Sequence, residues 1–166
     1  LSLDGSLQPV KGALPIAIKA REMGFEYLIV PRQNVREAAV VNRLKVYGAS
    51  HIGEVVRFLN DEGGLIPTEI DTRAEFYAQQ TEFDFDFADV KGQEHVKRAL
   101  EVAAAGGHNV IMIGPPGSGK SMMAKRLPSI LPPLSLAESL ETTQIHSVAG
   151  KLARESSLIA RRPFRA

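Results

Sequence analysis

The chain has 166 residues, 44% of them hydrophobic and 23% charged, which is the balance of a globular protein rather than a disordered one. A formal net charge of +1 excludes a generally basic surface as grounds for nucleic-acid binding, though not a local basic patch. Cysteine is absent, which removes disulfide scaffolds, thiolate metal sites and cysteine nucleophiles; no apolar run nears the roughly 20 residues of a membrane helix. With no charged-then-apolar leader pattern at the N-terminus, the expectation is a soluble, cytoplasmic protein without membrane contact. The start at Leu1 without Met and the stop at Ala166 without a terminating feature read as a fragment.

Residues 1–60 read as alternating strands and helices. Leu1–Leu3 and Leu7–Val10 flank Asp4-Gly5, a hairpin signal. A helix is expected from about Leu14 to Met23, with Pro15 in its first turn and Gly24 placed for a left-handed cap. Tyr27–Val30 is a short apolar strand closed by Pro31. Asn34 and Glu37 have the spacing of a capping box that opens a helix through Val41. Leu44–Tyr47 reads as a further strand. Ile52, Val55, Val56 and Leu59 then fall on one helical face. Such alternation argues for parallel strands with helices packed on them.

Residues 61–82 begin with Asp61-Glu62-Gly63-Gly64 and continue without a sustained period, as a linker does; a long surface loop is the alternative. Residues 83–166 restart the alternation. Phe83–Phe87 alternates aromatic and acidic residues like a half-buried strand or an extended docking segment, and Asp84 and Asp86 read as its solvent face rather than as metal ligands. Val96, Ala99, Leu100 and Ala103 make a helical stripe that ends at Gly106-Gly107. Ser135 and Glu138 form another capping box, with a helix running towards Gln144.

Between these helices lies the chain's most specific feature. The apolar run Val110–Ile113, read as a buried strand, leads into Gly114-Pro115-Pro116-Gly117-Ser118-Gly119-Lys120-Ser121, which fits G-x-x-x-x-G-K-[ST]. Glycines let the backbone curl so that its N–H groups point inward at phosphates, and a helix opening near Lys120 adds unpaired N–H groups. Lys120, the catalytic candidate, would reach the β- and γ-phosphates, and Ser121 would hold Mg²⁺. The cofactor-binding stretch runs from Gly114 through Met122. A proline-glycine turn matching by accident is the bland alternative, and the strand-turn-helix context disfavours it. The expected cofactors are ATP and Mg²⁺.

The run Phe87-Ala88-Asp89-Val90-Lys91-Gly92-Gln93-Glu94-His95, followed by this loop, resembles the start of an AAA+ ATPase module. The wording continues through Ala103–Asn109, Leu131–Leu134, Ile145–Gly150 and Arg161–Arg165, and is similar to the magnesium-chelatase-like AAA+ family in its YifB/ComM branch. The resemblance implies that the segment around Val90 and Gly92 lines the adenine pocket. It further implies that residues 131–150 lie in an insertion facing the pore of a homo-hexameric ring, and that the full-length protein works on single-stranded or branched DNA. Residues 1–60 resemble the C-terminal part of a Lon-protease-like domain. The whole is then α/β: the end of a Lon-like α/β domain (1–60), a linker (61–82), and the N-terminal part of a P-loop AAA+ domain (83–166).

Departures from the family pattern carry expectations of their own. Lon proteases place a catalytic lysine at the start of the helix that begins here at Ala13-Leu14-Pro15-Ile16. No lysine stands there, and Lys11 and Lys19 fall outside the aligned stretch, so the Lon-like segment is expected to be non-proteolytic. After the loop, no run of four apolar residues followed by Asp-Glu holds Mg²⁺ or activates water, so little ATP turnover is expected of these 166 residues alone. His108 and His146 read as packed or partly exposed histidines rather than catalytic ones. Lys151, Arg154, Arg161, Arg162 and Arg165 read as a solvated surface before a phosphate-binding one. Two functions remain open: an ATP-driven DNA motor, helicase-like in recombination and natural transformation, and a chelatase-type ATPase remodelling a protein partner. A module serving assembly alone is a third, weaker reading.

Overall fold

The computed structural model describes residues 1–80, 85–152 and 157–163. The chain divides into two compact units, residues 1–76 with 136–159, and residues 77–135 with 160–166.

In the first unit, helix α1 (Ala13–Glu22) starts after Gly12 and runs out at Gly24, whose φ of 81° is the expected left-handed stop. Strand β1 (Tyr27–Pro31) lies parallel to β2 (Lys45–Ala49), and the intervening crossover carries helix α2 (Val35–Ala38). Helix α3 (Ile52–Leu59) follows, and the two-residue strand β3 (Pro67–Thr68) pairs antiparallel with β2. The sheet order is β1-β2-β3. Helices α4 (Thr72–Gln80) and α7 (Leu136–Val148) complete the helical inventory that touches this unit. Its core is apolar: Leu14, Ala17, Ala38, Val46 and Ala49 are fully buried, as two-sided burial of a parallel pair requires. Mixed helix and sheet make the fold α/β, as expected.

Several local expectations give way to tertiary contacts. Asp4-Gly5 makes a tight turn, with Gly5 N–H donating to the Ser2 carbonyl, but no hairpin follows, because Ser6 pairs with His51 instead. Ser6 donates to Asp4 through its backbone N–H and its hydroxyl, which lowers the Asp4 carboxyl below the usual value. Asn34 and Glu37 are not a capping box. Asn34 bonds both backbone groups of Val10 and donates to Glu37, which also accepts from Leu14 N–H and the Ser147 hydroxyl of α7. On α3, Ile52, Val56 and Leu59 are exposed, and the helix meets the sheet through Phe58, whose ring lies 4.7 Å from Tyr47 and 6.0 Å from Tyr27. His51 caps this helix by accepting from Gly53 N–H. The stretch read as a linker contains β3 and α4; Thr72 is buried and its hydroxyl donates to the Val40 carbonyl.

In the second unit, α5 (Glu94–Gly106) and α6 (Lys120–Arg126) form where their patterns place them, and Gly107 at φ 64° stops α5. Neither the stretch read as a strand or docking segment (83–87) nor the strand expected at 110–113 has a strand among the described residues. Phe83 and Asp84 lie outside the described residues; Phe85 is exposed, and Phe87–Asp89 is a 3-10 turn capped by the Asp86 side chain. Val110–Ile113 forms no strand, and the described residues of this unit contain none. Ile111 and Ile113 are accordingly 84% and 90% exposed.

Glu37 is the polar centre of the first unit, accepting hydrogen bonds from three buried or half-buried donors. Glu37→Ala leaves the Leu14 N–H and the Ser147 hydroxyl without this acceptor and removes one Asn34 bond, and is expected to cost about 3 kcal/mol or more in urea unfolding, whereas a surface change such as Lys19→Ala stays within about 0.5 kcal/mol.

Candidate phosphate-binding loop

Helix α6 is seated by Met123, which is 1% exposed and packs with Phe87, Val90 and Leu100; Met112, Leu127 and Ile130 close the cluster. This core sets α6 against α5 and against the segment that precedes it. Arg126 reinforces the seat: its guanidinium lies 5.2 Å from the Phe85 ring centre, its Nε is 4.0 Å from Asp89 Oδ2, and Nη1 donates to the Met122 carbonyl. Ser129 accepts from Phe87 N–H and donates to the Arg126 carbonyl, which joins the same two segments.

On the opposite end of α6 the loop closes on itself. Lys120 Nζ donates to the carbonyls of Gly114 at 2.8 Å and Pro115 at 2.7 Å and to Ser118 Oγ at 3.1 Å. The curl needs left-handed backbone at Gly117, φ 80°, and at Gly119, φ 83°, where a side chain is disfavoured whatever space surrounds it. Ser118 N–H bonds back to the Pro115 carbonyl, and Met123 N–H begins the helical ladder at Gly119. The first amides of α6 have no partner within the helix. Gly114, Pro115, Pro116 and Gly117 are exposed, as are Ser121 and Met122, while Ser118, Gly119 and Lys120 are half-buried.

The ammonium of Lys120, the loop amides and the hydroxyls of Ser118 and Ser121 form a donor set suited to an anion. Among the described residues, no group of three or more His, Asp or Glu side chains is arranged to hold a metal by itself. The two residues assigned to the adenine side have different surroundings. Gly92 is exposed in a left-handed turn, φ 73°, with open space beside it, whereas the Val90 side chain is buried in the Met123 core. Any contact of Val90 with a base therefore runs through its backbone.

Other candidates have contacts of their own. The Lys19 ammonium is exposed and paired with Glu22 at 3.2 Å, and the Lys11 chain runs beside Gly150. His146 Nδ1 approaches the Thr142 carbonyl within its own helix. His108 packs against Gly106. Arg162 donates to the Pro132 carbonyl; Arg154 and Arg165 lie outside the described residues. Sequence reasoning missed Gln93, whose amide donates to the Ser118 carbonyl, and Arg126, because neither belongs to a periodic pattern or to the loop motif.

The residues that carry this geometry match known sequences. Residues 86–166 match the family described as magnesium chelatase, subunit ChlI, and residues 1–34 match a second family described as subunit ChlI of Mg-chelatase. The chain belongs to the magnesium-chelatase-like family. A Mycobacterium tuberculosis protein with no described function is 45% identical over 99% of the chain and 32% of its own length. Competence protein ComM of Haemophilus influenzae is 39% identical over 100% of the chain and 32% of its length. The YifB protein of Escherichia coli is 38% identical over 99% of the chain and 31% of its length. An archaeal Lon protease from Archaeoglobus fulgidus is 43% identical over 31% of the chain and only 8% of that protease. The chain thus spans about a third of the length of its YifB and ComM relatives. No helix among the described residues is long and apolar enough to cross a membrane.

Because Met123 fixes the helix that presents Lys120 and Ser121, truncating it should loosen the loop as well as the core. Met123→Ala is expected to lower stability by about 2–4 kcal/mol, read as a reduced unfolding midpoint in urea.

Proposed function

We propose that this chain is the nucleotide-binding part of an AAA+ ATPase motor that acts on DNA. The observation that carries the proposal is the glycine-bent loop of 114–121, with Lys120 gathered against its oxygens at the start of α6. Phosphate oxygens replace those loop oxygens as partners of the ammonium, while the amides from Gly117 to Ser121 supply the rest of the cradle. The Ser121 hydroxyl serves as a Mg²⁺ ligand, and bound Mg²⁺ offsets charge on the phosphates. The turn at Gly92 and the backbone at Val90 lie towards the base.

The match of the whole chain to a third of a protein named for competence supports DNA as the substrate, in natural transformation and recombination; the ring is taken to be a cytoplasmic homo-hexamer. An arginine from a neighbouring subunit then completes the site, and no run of four apolar residues followed by Asp-Glu follows the loop in these 166 residues. The isolated chain therefore binds ATP or ADP and hardly turns it over. The Lon-like segment acts as a scaffold without proteolytic activity, since its helix begins without the lysine a serine nucleophile needs. A second reading, a chelatase-type ATPase remodelling a protein partner, draws on the ChlI description of the family matched over 86–166.

The test is ATP turnover by the full-length chain with and without branched DNA, at stated salt because phosphate contacts are salt-dependent. Stimulation by DNA is the expected result, and Lys120→Ala is expected to reduce turnover by about 100-fold or more. Turnover indifferent to DNA at every salt concentration would favour the protein-remodelling reading.

A further inference from the structure

We infer that Gln93 is a positioning residue for the phosphate loop, fixing the orientation of the Ser118–Gly119 peptide; this rests on the nucleotide-binding reading above. Gln93 stands 25 residues before Ser118, outside the loop motif, and its Nε2 donates to the Ser118 carbonyl at 3.2 Å. A carbonyl can only accept, so the contact also assigns which end of the carboxamide faces the loop.

The peptide geometry gives this contact its consequence. In a trans peptide the C=O and the following N–H point in opposite directions. Holding the Ser118 oxygen on the Gln93 side therefore turns the Gly119 N–H to the other side. A flip of that peptide exchanges a donor for an acceptor within the loop, and an acceptor repels phosphate. Glycine at 119, φ 83°, makes such a flip inexpensive, because no Cβ opposes either orientation. Gln93 Nε2 lies only 3.6 Å from where a Cβ on Gly119 would stand, so the carboxamide packs directly against the hinge it restrains.

The backbone at Gln93 points the same way. It is left-handed, φ 57° and ψ 40°, directly after Gly92 at φ 73°. A residue bearing a Cβ is strained there, and glycine would not be. Gln93 also occupies the N-cap of α5 without using its side chain to cap that helix. The side chain reaches across to Ser118 instead of satisfying its own helix end.

The experiment uses the full-length chain, with ADP and MgATP affinities from calorimetry set beside thermal unfolding. Gln93→Gly removes the carboxamide and relieves the left-handed strain, so unfolding temperature is expected to hold or rise while both nucleotides bind about five- to ten-fold more weakly. Gln93→Glu keeps the size but sets an acceptor against the Ser118 oxygen, and is expected to weaken binding at least as much. Wild-type affinity in both variants overturns the inference and leaves the nucleotide-binding reading standing. Affinity and stability falling together in Gln93→Gly also overturns it, because that pattern belongs to a merely structural residue. A wild-type chain that takes up neither nucleotide overturns both.

Discussion

The seating of Met123 against Phe87, Val90 and Leu100 is the contact on which the candidate site depends. Helix α6 has seven residues, too few to hold its own shape in water without tertiary packing. Its buried methionine supplies that packing and draws in the segment before α5 and α5 itself. Lys120 and Ser121 are therefore positioned by a side chain three and two residues further along the helix, which lies in the core rather than in the loop. Arg126 acts on the same helix from its other end, through the Phe85 ring and the Asp89 carboxylate. A flexible, glycine-rich loop can present a defined set of donors only when the helix it feeds is held in this way.

Much of this was legible in the residues, and the failures have a common cause. Gly24 and Gly107 marked helix ends because left-handed backbone is their particular property, and nothing distant needed to be known. The loop motif likewise set the start of α6 correctly. Asn34 and Glu37 have the spacing of a cap, yet their side chains are taken up by Val10, Leu14 and Ser147, the last of them 110 residues away in sequence. Local spacing cannot reveal a partner so distant. The same limit hid Gln93, whose role appears only when Ser118 is brought beside it.

The Glu37 cluster also explains why α7 belongs to the first compact unit although it follows the nucleotide loop in sequence. Its buried face is polar: Ser139, Thr143 and Ser147 are all fully or nearly fully buried. Ser147 donates to Glu37 and its carbonyl accepts from Gly12 N–H, while Thr143 donates to Ser139 and accepts from Ile159 N–H. A helix buried through hydroxyls loses more from misplacement than one buried through leucines, because every displaced hydroxyl becomes an unpaired polar group. This packing is specific rather than merely cohesive. It explains why the modest amphipathic pattern of α7 did not announce its location.

Segment 110–113 meets the loop from the other side. Four residues there have no backbone hydrogen bond to the described residues, and Ile111 and Ile113 present apolar side chains to solvent. Unpaired backbone and exposed isoleucines in succession are a sheet edge without its sheet. On the side before the loop, the anchor is the Met112 side chain, packed on the Met123 cluster, rather than a backbone ladder. Gly114 is fixed by the Lys120 ammonium at its carbonyl rather than by a strand. The N–H that Lys120 gives to the Gly114 carbonyl cannot serve a phosphate oxygen at the same time.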